Sequence, residues 1–196
     1  AGTLMGWKEA SLLWDTVLYR TAGVAVKTPW HQDTPYHCVD GVDAECSVWI
    51  PLYPVGRESS LEFVRGSHRW GKNFFRPSFD PKFKAQIQGD DESLWDELPD
   101  IDANRSDFDI VGHALEPGDC LVFHGLTLHA SAGNLDAEKP LVAFSTRFAG
   151  ERAVYRPDKP GGVYYDWSHL AAASNLRPGD PVSSDMFPRV WSCDSD

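Results

Sequence analysis

The sequence predicts a mainly β protein: an antiparallel barrel or jelly roll with a few peripheral helices. Three observations carry this. The 14 Pro and 16 Gly are spread along all 196 residues and cut the chain into short segments. At least seven of those segments are rich in β-branched or aromatic residues, several with a two-residue alternation. Neither an internal repeat nor a strand–helix–strand rhythm is present, which argues against a parallel sheet. The length suits one domain, 1–196, with its core at about 14–150.

Residues 14–21 (WDTVLYRT) form the first alternating segment. Residues 45–52 (ECSVWIPL) and 61–65 (LEFVR) are the next two, separated by the loop PVGRESS and closed by GSH. From 66 to 109 the pattern lapses into an excursion from the core, where substrate lids often lie. Its first part (RWGKNFFRPSFDPKFK) is basic and aromatic; its acidic patch (DDESLWDELPD) suits a short helix. Strands resume at 108–115, 120–124, 127–131 and 141–148. Glu116-Pro117-Gly118-Asp119 places Pro and Gly at the central positions that a type II turn prefers. Residues 151–196, rich in Pro and Gly, are expected to wrap the core.

Composition excludes several classes of function. Eighteen Lys and Arg against 29 Asp and Glu give a net charge of −11, which repels nucleic acid and anionic membrane surfaces. No apolar run approaches the ~20 residues that span a bilayer. Cys38, Cys46, Cys120 and Cys193 have no metal-finger spacing and are too few for a disulfide scaffold, so free thiols in a reducing cytoplasm are expected. The first residues lack the basic-then-apolar pattern of an export signal, and there is no initiator Met, which suggests trimming.

The chemistry concentrates in Trp30-His31-Gln32-Asp33. In an extended strand, residues two apart share a face, so His31 and Asp33 would present an imidazole and a carboxylate together. One further His would complete two imidazoles and a carboxylate, which suits non-haem Fe(II) with coordination positions left open. The downstream candidates are His37, His68, His113, His124 and His129, and spacing alone does not separate His129 from His124. Trp30, Tyr36 and Trp49 are expected to wall a pocket. His68 and Arg69 are expected to cap its mouth, and His37 and His113 to have surface or structural roles.

Five blocks extend the pattern: TPWHQD at 28–33, SVWIPL at 47–52, LEFVRGSH at 61–68, GDCLVFH at 118–124 and HASAGN at 129–134. In this order, over about 14–150, they resemble the successive motifs of the phytanoyl-CoA dioxygenase family. The resemblance implies a double-stranded β-helix, a cupin-like barrel. It also implies an Fe(II)- and 2-oxoglutarate-dependent dioxygenase that consumes dioxygen, hydroxylates an unactivated C–H bond and releases succinate and CO2. By the same resemblance His31, Asp33 and His129 are the iron ligands, His124 is a neighbour, and the carboxylate of Asp33 favours hydroxylation over halogenation.

The 5-carboxylate of 2-oxoglutarate requires a cationic fork. Where the family usually places its Arg, this chain has Lys139-Pro140-Leu141. Alternation puts Leu141, Ala143, Ser145 and Arg147 on one face, so Arg147 is the expected anchor, Ser145 its helper and Lys139 the second candidate. Arg20 stands where the family often has a Lys and is a candidate contact to cosubstrate or substrate. The substrate is expected to be a small molecule; the basic segment 65–84 would favour an anionic one. Nothing indicates an oligomeric state. Two other readings fit a related barrel: a non-catalytic cupin-like binding protein, and a Zn or Mn hydrolase or isomerase. Because the His31–Asp33 pair lies so near the start, the chain is expected to be a core shortened at its front or a sequence that lacks residues.

Overall fold

The computed structural model describes residues 1–74, 93, 95–158 and 172–193. Residues 90–92 and 94 of the acidic patch and residues 75–84 of the basic segment lie outside this set. Among the described residues the chain is mainly β strand, with the short helix α1 (Gly2–Met5), helical residues 172–174 and 3₁₀ turns that include Thr34–Tyr36, Ser67–Arg69 and Arg105–Asp107. No helix among them is long and apolar enough to cross a membrane.

The strands in chain order are β1 (Glu9–Arg20), β2 (Thr28–His31), β3 (Val39–Asp40), β4 (Glu45–Pro51), β5 (Leu61–Val64), β6 (Ile110–Gly112), β7 (Leu121–His124), β8 (His129–Ser131), β9 (Leu141–Gly150), β10 (Val154–Tyr155) and β11 (Arg189–Ser192). One sheet has the order β11-β1-β9-β4-β7, a second β2-β8-β5-β6, and β3 and β10 pair separately. All the paired strands run antiparallel. The jelly-roll class is as expected, but the sheets do not close into a continuous barrel.

Where strands differ from expectation, the cause is local. β1 starts at Glu9 rather than 14 because its register on β9 slips between Leu12 and Trp14. The bulge at Leu13 breaks the alternation a sequence reading relies on. β2 carries Pro29 and only four residues, too weak a signal to detect. The turn at 116–119 forms as predicted: Asp119 N–H donates to Glu116 O at 3.0 Å, and Gly118 has φ +106°.

The two faces of each sheet are filled differently. Trp49, Phe123, Leu141 and Ala143 of the larger sheet meet Phe63 of the smaller one in an apolar cluster between the sheets. Behind the smaller sheet, Trp30, Val64 and Ala130 pack on Phe74, Ile101 and Leu128. Behind the larger sheet, Ala10 and Cys46 pack on Trp7. Strand parity therefore decides which side chains reach the space between the sheets.

Candidate metal centre

His31 ends β2 and His129 begins β8, and the antiparallel register pairs them directly. Their ring centroids lie 4.1 Å apart. The Nδ1 of each ring sits on a carbonyl two residues back: Pro29 O at 2.8 Å for His31, Thr127 O at 3.0 Å for His129. A carbonyl only accepts, so Nδ1 carries the hydrogen in both rings and Nε2 is the nitrogen turned toward Asp33. Both Nε2 atoms are 3.6 Å from Asp33 Oδ1. The ligand atoms of His31, Asp33 and His129 lie within 4.8 Å of one another, and all three residues are buried.

Asp33 reaches this point by a turn, not by the strand pleat expected from the His31–Asp33 spacing. β2 ends at His31, and Asp33 has helical backbone (φ −76°, ψ −45°) at the start of a 3₁₀ turn, Thr34–Tyr36. The N–H groups of Asp33 and Thr34 both donate to Gly125 O, at 2.8 and 3.1 Å. A Cβ on Gly125 would lie 2.2 Å from Thr34 Oγ1, so the approach requires glycine. With Oδ1 facing the histidines, Oδ2 accepts a hydrogen bond from Ser47 Oγ at 2.6 Å and lies 3.4 Å from Arg147 Nη2. Ser47 and Arg147 are register partners on β4 and β9, so one cross-strand row delivers both groups.

Burial alone would raise the Asp33 pKa, but Arg147, His129 and His31 hold it well below the ordinary carboxylate range. Burial pushes the His129 imidazole down to about 3, reinforced by His31 and opposed by Asp33. At neutral pH the site thus holds a carboxylate and a neutral His129. Unfolded, His129 takes up a proton near 6.5, so between about 6.5 and 3 the unfolded chain binds the extra proton and acid destabilises the fold. Asp33 adds its own loss of stability below the ordinary Asp pKa. The denaturant midpoint of metal-free protein is therefore expected to fall steadily as pH drops from 6.5. A midpoint unchanged between pH 6.5 and 4 would contradict this.

A cavity of about 380 Å³ lies between the sheets, and His31, Asp33 and His129 are part of its wall. Tyr36 and Trp49 line it as expected. Trp30 does not: with His31 facing in, parity turns Trp30 outward, where Nε1 donates to Asp102 Oδ1 at 3.2 Å. The same rule separates the two histidine candidates. On β7, Phe123 pairs with Ser47 and faces the cavity, while His124 pairs with Cys46 and faces away, 3.3 Å from Asp43 Oδ1. His68 stacks on His124 at 5.3 Å; neither it nor Arg69 lines the cavity. His113 is exposed, and His37 is buried against the cavity.

The cationic candidates separate in space. Arg147 Nη1 donates to Ser145 Oγ at 2.9 Å, and its Nε is buried with no partner among the described residues. Lys139 is exposed and outside the cavity wall. Arg20 lines the cavity from the end of β1 opposite Leu141, with its guanidinium donating to Val26 O and Thr28 Oγ1. Thr28 pairs with Ser131 in the row next to His31–His129. Asn134, which closes the HASAGN block, fixes this corner: its amide donates to Thr21 O at 3.2 Å and Lys139 O at 2.8 Å. Ser47, Thr28 and Gly125 were not singled out from sequence. Only Ser47 left a signal there, a small polar residue among the apolar positions of β4.

Two imidazole nitrogens and one carboxylate oxygen, converging at a cavity wall, fit a first-row divalent ion and leave it open positions. The two Nδ1–carbonyl bonds and the Ser47–Arg147 clamp are the outer partners such ligands require. The sequence pattern of the phytanoyl-CoA dioxygenase (PhyH) family matches residues 6–138, a span that includes all three residues. The chain belongs to the phytanoyl-CoA dioxygenase family. Members of this family are Fe(II)- and 2-oxoglutarate-dependent non-haem enzymes.

Solved structures with the same fold include SnoK, a non-haem α-ketoglutarate-dependent carbocyclase from nogalamycin biosynthesis. It is 21% identical with a TM-score of 0.69, over 97% of this chain and 65% of SnoK. The epimerase SnoN, in complex with Fe3+, α-ketoglutarate and nogalamycin RO, is 24% identical with a TM-score of 0.61, over 96% of this chain and 68% of SnoN. EvdO2 from Micromonospora carbonacea var. aurantiaca, complexed with 2-oxoglutarate, is 21% identical with a TM-score of 0.60, over 82% of this chain and 60% of EvdO2. The family chain described here thus spans about two thirds of the length of SnoK and SnoN.

Proposed function

We propose that this chain is an Fe(II)- and 2-oxoglutarate-dependent oxygenase that hydroxylates an unactivated C–H bond of a small molecule, with succinate and CO2 as coproducts. The observation that carries this is the convergence of His31, Asp33 and His129 at the cavity wall. Those residues hold the iron, which when bound supplies dioxygen activation coupled to decarboxylation of the 2-oxo acid. Asp33 is kept ionised and aimed by Ser47 and Arg147, whose contacts occupy Oδ2 and leave Oδ1 for the metal. The carboxylate ligand favours hydroxylation, because its oxygen occupies the place a halide would need.

Arg20 takes the 5-carboxylate of 2-oxoglutarate. Its guanidinium stands at the Thr28–Ser131 row, two residues along β8 from His129, a step of about 7 Å. That step suits a five-carbon diacid held at its other end beside the histidines. Arg147, with Ser145, serves the metal-binding carboxylate instead. Trp49, Phe123 and Leu61 make the remaining wall apolar and exclude water from the reacting carbon. With Arg20 taken by the cosubstrate, Lys27 is the cation of the wall that would favour an anionic substrate. Free Cys38, Cys46, Cys120 and Cys193 suit a reducing, cytoplasmic setting.

The test is anaerobic reconstitution with Fe(II) and 2-oxoglutarate, read by the metal-to-ligand charge-transfer band, followed by admission of oxygen and assay of succinate. The band and 2-oxoglutarate-dependent succinate are expected. Absence of both would remove the oxygenase reading and leave a binding protein or another metalloenzyme.

A further inference from the structure

Glu45 is 1% exposed, although a carboxylate is among the groups costliest to bury. Its Oε1 accepts a hydrogen bond from His37 Nδ1 at 2.7 Å, and Oε2 has no hydrogen-bond partner among the described residues. Its backbone carbonyl accepts from Gly125 N at 3.0 Å, and Gly125 O in turn accepts from the N–H groups of Asp33 and Thr34. At the far end of the same turn, His37 N–H donates to Thr34 O at 3.1 Å. Glu45 therefore grips the Asp33–His37 segment twice, through Gly125 at its start and through its own carboxylate at its end.

We propose that Glu45 and His37 are a positioning pair, which fixes the turn so that Asp33 Oδ1 stays equidistant from the two histidine Nε2 atoms. The inference rests on the metal reading of His31, Asp33 and His129. A covalent chain alone would not hold Asp33: β2 ends two residues earlier, and the Ser47 and Arg147 contacts act on the carboxylate, not on the backbone that carries it. Gly125 holds the backbone at the start of the turn, and the pair holds its far end.

The test is Co(II) titration of the metal-free full chain, reading affinity and the d–d spectrum, with far-UV circular dichroism as the folding control. Replacing both partners by apolar residues, His37→Leu with Glu45→Leu, leaves no unpaired buried charge and is expected to preserve the fold. Metal affinity is expected to fall about 10–100-fold, the usual loss when an outer partner of a ligand is removed, with an altered spectrum. Glu45→Gln keeps an acceptor for His37 Nδ1–H and is expected to restore near-wild-type affinity and spectrum; this variant also serves if the double variant does not fold, and a loss in it equal to that of Asp33→Ala would then overturn the proposal. A folded double variant that binds Co(II) like wild type overturns it as well. Asp33→Ala separates the two levels: wild type binding no better than Asp33→Ala ends the metal reading itself, and this inference with it.

Discussion

Asp33→Ala is expected to abolish 2-oxoglutarate-dependent succinate formation and to weaken divalent-metal binding by more than the ~10–100-fold typical of an outer-partner loss. Two effects combine. The ligand oxygen 3.6 Å from both histidine Nε2 atoms disappears. The Arg147 guanidinium, 3.4 Å from Oδ2, then stands uncompensated beside the site and repels any cation. The metal-free fold also suffers, by about 3–5 kcal/mol, because one partner of a buried ion pair has been removed. Asp33→Asn retains an acceptor for Ser47 and should be the more stable of the two while remaining inactive. Metal titration, succinate assay and thermal midpoints on the two variants check each part. Retained turnover in Asp33→Ala would contradict the ligand assignment.

Arg20→Ala is expected to raise the KM for 2-oxoglutarate by about 10–100-fold while leaving metal affinity in the absence of cosubstrate unchanged. A hydrogen bond to a charged group contributes about 1.5–3 kcal/mol, and each 1.4 kcal/mol is a factor of ten. The guanidinium is placed for this by Thr28 and Val26, and the backbone at the end of β1 by Asn134. Arg147→Leu should behave differently, lowering metal affinity and kcat through Asp33, and Lys139→Ala should change little because Lys139 is exposed. Steady-state kinetics with 2-oxoglutarate as the varied substrate separate these cases. A KM increase in Arg147→Leu with none in Arg20→Ala would return the anchor to Arg147.

Much of this protein was legible along the chain. Most of the longer strand segments, the type II turn at 116–119 and the His31–Asp33 pair follow from two-residue alternation, turn chemistry and motif order, all properties of neighbouring residues. The first part of β1 is hidden because the bulge at Leu13 interrupts that alternation, and β2 leaves no periodic signal because it has four residues and one is proline. The roles of Glu45 and Gly125 left no trace, since their contacts join the 33–37 turn to β4 and the β7–β8 connection.

By itself the sequence determined the fold class, the acidic character of the chain and the residue types that make a metal site. Only the tertiary structure decided how those residues act together. β4–β7 register places Phe123 toward the cavity and His124 away from it, and β2–β8 register sets His129 against His31. A hydrogen-bonded turn, not a strand pleat, brings Asp33 to both histidines. Strand pairing also separates Arg147, beside Asp33, from Arg20, which lies opposite Leu141, six residues away along β9. The reason is that alternation gives each strand two faces but does not say which is inner. That choice is made by hydrogen-bond register between strands distant in sequence, where a one-residue slip reverses every side chain.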